Sequence, residues 1–274
     1  MNFDLDTAWR DVRRLAGENR KLLLAIAGIF IFIPYASLLI LLPSIAPMPE
    51  PPLGAPFSVV MASIREFYAS SWWAFALLTL AITIGQLAML ALIERKPGPT
   101  VGEAIGMGAK ACLPAWLALL LQSLAINLAT ALIVAIAAVT GVSILVFLAT
   151  VAALVLALYL TTRFSLVLPI MASENYLNPI GVLKKSWDRT RGHAARMLAF
   201  YVLIGVAAVV TAIVVVMILG VALALFGEQV AESGGMIVSA IIVTAMMILF
   251  TLVLASVNRQ LVRLGRGASL EPVD

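Results

Sequence analysis

The chain has 274 residues, of which 63% are hydrophobic and only 12% are charged. An average soluble domain is about 45–50% apolar and about 25% charged, so this composition excludes an ordinary soluble protein. Apolar runs of about 18 residues or more indicate transmembrane helices, and a backbone in lipid is satisfied as a helix. Six such runs predict an all-α, multi-pass membrane protein: Leu22–Leu42, Trp72–Ile93, Leu113–Val139, Val142–Thr162, Met197–Phe226 and Met236–Val257.

The basic residues lie almost entirely on one side of the predicted bundle. Of the 18 Lys and Arg residues, only Arg65 falls in the first, third or fifth connection between spans. Short cytoplasmic connections carry an excess of Lys and Arg. The distribution therefore predicts that the N- and C-termini are cytoplasmic. This topology signal alone would account for the basic residues, and ligand binding is the second interpretation.

The segment before the first span repeats apolar residues at helical spacing, from Leu5 through Ala8 and Val12 to Leu15. This pattern predicts an amphipathic helix on the cytoplasmic interface. Residues 43–71 then form a proline-rich periplasmic connection, whose first half we expect to be extended or irregular. Its second half, up to the aromatic pair Trp72-Trp73, predicts a short helix at the outer interface.

The connection between spans two and three begins another helix. Thr100 and Glu103 have the spacing of a capping box. Closely spaced glycines follow at Gly102, Gly106 and Gly108. They indicate a close helix crossing of the small-residue type, because a phosphate loop would need a preceding strand.

Polar residues inside spans are costly in lipid and usually face protein or water. Gln86 lies in the second span, and Gln122 and Asn127 lie in the third. Hydrogen bonds between helices are the simpler expectation for all three. A transport site is the alternative, and a continuous polar cavity reached by these three residues would indicate it.

The fourth apolar run is too long for one straight span. From Gly141 to Ala172 it would extend about 48 Å as a helix, against a hydrocarbon core of about 30 Å. We therefore expect a tilt, a kink at Pro169 or a turn along the inner interface. Arg163 lies within this run, and we expect it to form a structural ion pair with Glu174. Binding of a lipid headgroup by Arg163 is the alternative.

Residues 178–196 form the most basic stretch. Asn178 is a suitable N-cap and Pro179 suits the first helical position. The basic residues oppose an apolar stripe, which predicts an interfacial amphipathic helix with Trp187 at the membrane boundary. The stripe is Ile180, Leu183, Trp187, Thr190, Ala194 and Met197. The predicted contacts to anionic headgroups or to a partner are Lys184, Lys185, Arg189, Arg191 and Trp187.

Similar amphipathic patterns precede three pairs of spans. They predict three parallel repeats, residues 3–96, 98–176 and 178–266, within one six-helix domain covering residues 1–274. The competing interpretation is that any two amphipathic helices match at this spacing.

The sequence shows no catalytic motif of the hydrolase, zinc-protease or nucleotide-binding type. One cysteine, Cys112, excludes an internal disulfide, and one histidine, His193, excludes a site with several histidine ligands. We therefore expect no enzyme activity, no metal and no cofactor. Nothing in the pattern indicates nucleic-acid binding.

The stretch RFSLVLPIMASENYLNPIGVLKKSWDRTRGHAARML resembles the membrane domain attached to some bacterial glycerophosphoryl diester phosphodiesterases, and a related group of inner-membrane proteins. The shared pattern is Arg163, Pro169, Glu174, Ser186 and Gly192. The resemblance implies a six-helix inner-membrane module. Seventeen residues follow Val257, so we expect no phosphodiesterase domain and no hydrolytic activity.

These observations favour a non-enzymatic membrane protein that acts through lipid or protein contacts at the cytoplasmic interface. It would be a scaffold, an accessory subunit or a protein of lipid homeostasis. A partner protein or a homo-oligomer is compatible with this interpretation. The alternative function is a transporter or flippase-like carrier of a lipid or other amphiphile.

Overall fold

The computed structural model describes residues 3–45, 52, 54–95 and 98–268. All elements in these ranges are helical, and six helices are long and apolar enough to cross a membrane. The all-α, multi-pass prediction is thus confirmed. The elements are α1 (Leu5–Ala27), α2 (Ile33–Ile45), α3 (Phe57–Glu94), α4 (Val101–Val139), α5 (Ser143–Phe164), α6 (Val167–Glu174), α7 (Pro179–Arg189), α8 (Ala194–Ala224) and α9 (Glu228–Ala268).

The first spanning unit extends from Leu5 to Ile45. A π-helical segment, Gly28–Phe32, joins α1 to α2 without a break. At the start, the carboxylate of Asp4 accepts from the backbone N–H of Thr7 at 3.1 Å, which satisfies a donor that the helix leaves unpaired. The predicted N-terminal amphipathic helix is therefore continuous with the first span.

The short outer helix predicted to end at Trp73 is wrong as a separate element. Residues from Phe57 onward form the first turns of α3, which continues to Glu94. Most of the proline-rich stretch, residues 46–51 and 53, lies outside the described residues. The apolar sequence on both sides of Trp72-Trp73 contains no helix-breaking residue, so the helix has no reason to stop there.

The long fourth run bends as expected, but at Ser165 and Leu166 rather than at the proline itself. Pro169 lies in the first turn of α6. It has no N–H to donate to the carbonyl of Ser165, and its ring excludes that carbonyl from ordinary helical geometry. The break therefore falls four residues before the proline. The first six residues of α6, Val167–Ala172, are buried, and this helix of about 12 Å packs against α3, α4, α7 and α9.

The buried core lies at the end of the bundle where α1 begins and α9 ends, which we call the basic end. The hydroxyl of Ser256 in α9 donates to the carbonyl of Ala8 at 2.7 Å, and the amide of Gln260 donates to that of Asp4. Toward the other end, α4, α5 and α8 contain few residues buried by protein. None of the residues in the most apolar windows of α4 and α8 is buried by protein, so hydrocarbon must cover these surfaces.

The three predicted repeats stay a prediction. The first two proposed units have an uninterrupted helix leading into the span, whereas the third has a turn at Thr190–His193 between α7 and α8. Gly192 in that turn has a φ of 81°, a conformation that favours glycine. If the three segments are repeats, the third unit differs from the other two by this turn.

Candidate functional site at the basic end

Two tight connections place α7 across the basic end. Asn175 ends α6 in the left-handed conformation, with a φ of 54°, which asparagine adopts more readily than most residues. The side chain of Asn178 then accepts from the backbone N–H of Ile180 at 3.1 Å and of Gly181 at 3.0 Å. The predicted cap and the helix start at Pro179 are thus confirmed.

The buried face of α7 agrees with the predicted stripe at Thr190, as it does beyond the helix at Ala194 and Met197, but differs from it toward the start of the helix. Val182, Ser186 and Thr190 are fully buried, whereas Ile180 is 72% exposed. The cause is polar. The hydroxyls of Ser186 and Thr190 donate to the backbone carbonyl of Arg163, at 2.9 and 3.2 Å. That carbonyl lies at the C-terminus of α5, where the helix leaves its acceptors unpaired. The two hydrogen bonds to the Arg163 carbonyl thus orient α7 more strongly than burial of Ile180 would.

The ion pair predicted between Arg163 and Glu174 is wrong, because each residue has another partner. Glu174 accepts from Lys185 and, at 2.6 Å, from Arg189. Lys185 and Arg189 are four residues apart and so share one face of α7. The guanidinium of Arg163 instead lies 4.0 Å from the centroid of the Trp187 ring, and the whole residue is only 4% exposed.

From Glu174 a chain of hydrogen bonds continues across four helices. Arg189 donates to the amide oxygen of Asn258 at 2.7 Å, and the Asn258 amide nitrogen donates to Glu94 at 2.7 Å. α6, α7, α9 and α3 each contribute one member to this polar chain. Asn258 is 2% exposed, and its orientation follows from donating to a carboxylate on one side and accepting from a guanidinium on the other.

Of the five residues predicted to contact headgroups or a partner, two are exposed to solvent or lipid. Lys184 and Arg191 are exposed, and neither has a carboxylate within 4.0 Å among the described residues. Lys185 and Arg189 are half-buried on Glu174. Trp187 is half-buried between Arg163 and Phe164, whose ring centroid lies 5.5 Å away.

The three intramembrane polar residues do not share a hydrogen-bond network among the described residues. Gln86 contacts the sulfur of Met247 in α9 at 3.5 Å. Asn127 donates to the backbone carbonyl of Ser123, within its own helix, at 2.7 Å. Gln122 is half-buried, and its amide oxygen has no partner. The contacts of Gln86 and Asn127 therefore lead to different neighbours.

Sequence reasoning missed Asn258 and Glu94, because both lie at ends of spans that were treated as purely apolar. One signal was present. Ser256, Asn258 and Gln260 introduce three polar side chains within five residues at the end of the sixth run. Such side chains in a membrane helix need partners, and here Ser256 and Gln260 find them in α1.

Comparison with known protein families gives a match over part of the chain. Residues 132–264 match the family model of the membrane domain of glycerophosphoryl diester phosphodiesterase. The match extends from the last turns of α4 to α9 and includes Glu174, Arg189 and Asn258 of the polar chain but not Glu94. It confirms the resemblance seen between Arg163 and Leu198. No curated protein and no solved structure gives a significant match to the chain.

Proposed function

We propose that this integral membrane protein is non-enzymatic and binds anionic lipid at its basic end, through Lys184 and Arg191. The protein would be a scaffold or accessory subunit, or would serve lipid homeostasis, in a bacterial inner membrane. The basic end would face the cytoplasm, as the distribution of Lys and Arg favours. A cytoplasmic protein partner or a second copy of the chain remains compatible with the same surface.

The observation that carries this proposal is that the cations of α7 and of the turn after it differ in their partners. Glu174 holds Lys185 and Arg189, so these two stabilise the fold. Lys184 and Arg191 stay exposed on the same short segment. A Lys or Arg near an anionic membrane surface contributes about 1 kcal/mol to binding, and Lys184 and Arg191 are the cations of this segment that remain available for such a contact.

The test is retention of anionic lipid by purified protein. The double variant Lys184→Gln/Arg191→Gln should lose roughly 30-fold in affinity for an anionic phospholipid, since about 2 kcal/mol is removed. Arg65→Gln, which changes the basic residue in the first connection, should leave that affinity unchanged. Lipid counting by native mass spectrometry at matched detergent measures both. Equal retention by the double variant and the wild type would exclude the lipid surface and favour a protein partner.

One observation supports the alternative, a carrier of a lipid or other amphiphile. An apolar groove of about 670 Å³ lies between α8 and α9, with Leu5 and Trp9 of α1 at its basic end. Its open side would face the bilayer and could admit an acyl chain. Transbilayer movement of a fluorescent phospholipid in proteoliposomes, above that in protein-free vesicles, would favour this function over the first.

A further inference from the structure

A second cavity at the basic end is polar rather than apolar. It has a volume of about 600 Å³, and its walls come from α1, α3, α6 and α9. Binding sites for small molecules commonly measure about 300–1,000 Å³. The lining residues used below are Arg14, Glu94, Asn258, Arg259 and Arg263. This cavity is separate from Lys184 and Arg191, which do not line it.

Glu94 contributes a carboxyl group to the wall of this cavity. One carboxylate oxygen accepts from Asn258, while the other, Oε1, is buried and has no hydrogen-bond partner. Glu94 as a whole is half-buried, and its Oε1 atom is inaccessible to solvent. A buried carboxylate oxygen without a donor is costly, so the cavity offers an unfilled acceptor. The C-termini of α3 and α6 lie at the same wall, and their partial negative charge adds to the preference for a cation.

The arginines of the cavity wall are partly exposed to solvent. Arg14 and Arg263 keep 50% and 59% of their side-chain exposure. Both approach Asp11, at 2.8 and 3.5 Å, which holds them beside each other. Arg259 is occupied, because it donates to the carbonyl of Ile93 at the end of α3. Arg14 and Arg263 are thus exposed at the cavity, with Glu18 4.0 Å from Arg14, while the Oε1 atom of Glu94 is inaccessible.

We propose that this cavity binds a zwitterion whose primary ammonium donates to Glu94 and whose phosphate lies between Arg14 and Arg263. An ammonium carries three N–H donors, which suits one unfilled carboxylate oxygen with polar neighbours. Guanidinium groups bind phosphate with charge-assisted hydrogen bonds. The same chemistry occurs in an aminoethyl phospholipid headgroup and in free O-phosphoethanolamine.

Two arms of one experiment separate these sources and use the wild-type protein. In the first, protein in detergent is titrated with O-phosphoethanolamine, with phosphocholine as the matched compound that lacks N–H donors. Binding should raise the unfolding temperature with the first compound and not with the second. In the second arm, nanodiscs contain equal amounts of aminoethyl and choline phospholipid, and the lipid retained after extraction is counted. Preference for the ammonium compound in the first arm identifies the free ligand as sufficient, and preference in the second alone identifies the lipid.

Glu94→Gln tests the residue, because it keeps the shape and an acceptor for Asn258 but removes the charge. Affinity for the ammonium ligand should fall roughly 10- to 100-fold, the range expected when a charge-assisted hydrogen bond is lost. Glu232→Gln, at the opposite end of α9, is the matched control and should bind as the wild type does.

Equal behaviour of the ammonium and choline compounds in both arms would overturn the proposal and leave a water-filled cavity. The proposal would also be overturned if Glu94→Gln distinguished the ammonium from the choline compound as well as the wild type does. If that variant fails to fold, the comparison of ammonium with choline compounds in the wild type still decides. Anionic-lipid retention through Lys184 and Arg191 is measured separately, so either proposal can fail alone.

Discussion

The guanidinium of Arg163 lies 4.0 Å from the centroid of the Trp187 ring, and this stack fixes α7 to the end of α5. The backbone carbonyl of Arg163 accepts from Ser186 and Thr190 of the same helix. One residue thus holds α7 by both its side chain and its main chain. With Arg163 occupied in this way, Glu174 is left to the cations of α7 and to the polar chain.

Loss of the stack should be measurable as a coupling energy. A cation over a desolvated Trp ring is stabilised by about 2 kcal/mol, and less where it is exposed. We expect a double-mutant cycle of Arg163→Met and Trp187→Leu to give a coupling of about 1–2 kcal/mol in unfolding free energy. Trp72→Leu is the control, since Trp72 is 67% exposed at the other end of the bundle. Additive effects of the Arg163 and Trp187 changes would contradict the stack.

The glycines of α4 provide a second test with an internal control. A Cβ on Gly108 would come within 2.7 Å of the backbone carbonyl of Ile84 in α3, whereas a Cβ on Gly106 would meet nothing within 4 Å. Gly108→Ala should therefore force α4 away from α3 and lower the unfolding temperature. Gly106→Ala should leave it equal or higher, because alanine favours a helix by up to about 1 kcal/mol over glycine. Thermal unfolding in detergent compares the two variants. Equal unfolding temperatures would contradict a close crossing of α4 and α3 at Gly108.

What the sequence predicted well has local causes. The six spans follow from apolar runs, and the caps at Asn178 and at Thr100 with Glu103 follow from side chains that bond within their own turn. The glycine crossing was predicted for three residues, but only Gly108 contacts the neighbouring backbone. Gly102 and Gly106 have open space beside them, and spacing alone cannot show which face of a helix meets its neighbour.

The site was predicted less well because its contacts join distant parts of the chain. Glu174 and Arg163 are close in sequence, so they were paired. The break at Ser165 and Leu166 redirects α6, and the tight turn after it folds α7 back with Lys185 and Arg189 facing Glu174. Asn258 and Glu94 leave no local signal of their pairing, since each partner lies at the end of a different span.

His193 should make stability depend on pH. Burial lowers the pKa of His193 from its ordinary value, and the charge of Arg196 lowers it further. His193 is also the N-cap of α8, where a positive charge is unfavourable. The unfolded chain takes up this proton near the ordinary pKa of about 6.5, so its contribution is complete above that pH and is lost as the pH falls through it.

The measurement is the difference between wild type and His193→Gln. Both proteins contain the same carboxylates, so subtracting the two pH profiles isolates the histidine. We expect the wild type to lose more stability than the variant between pH 7.5 and 5.5, a window of about one unit on each side of the ordinary pKa. Parallel profiles across this window would show that the fold does not disfavour the charged imidazole.

The orientation of the bundle is open to direct labelling. Gly141 and Gly227 lie in the outer turns with positive φ values of 67° and 102°, so cysteine at either position would strain the turn. Val139 and Phe226 are better sites, at 89% and 74% exposed. In a background with Cys112→Ala, a membrane-impermeant maleimide should label Val139→Cys and Phe226→Cys from the periplasmic side. Leu177→Cys, in the turn between α6 and α7, should react only after permeabilisation. The reverse pattern would place the basic end outside, and the anionic-lipid surface would then face the wrong leaflet for the proposed role.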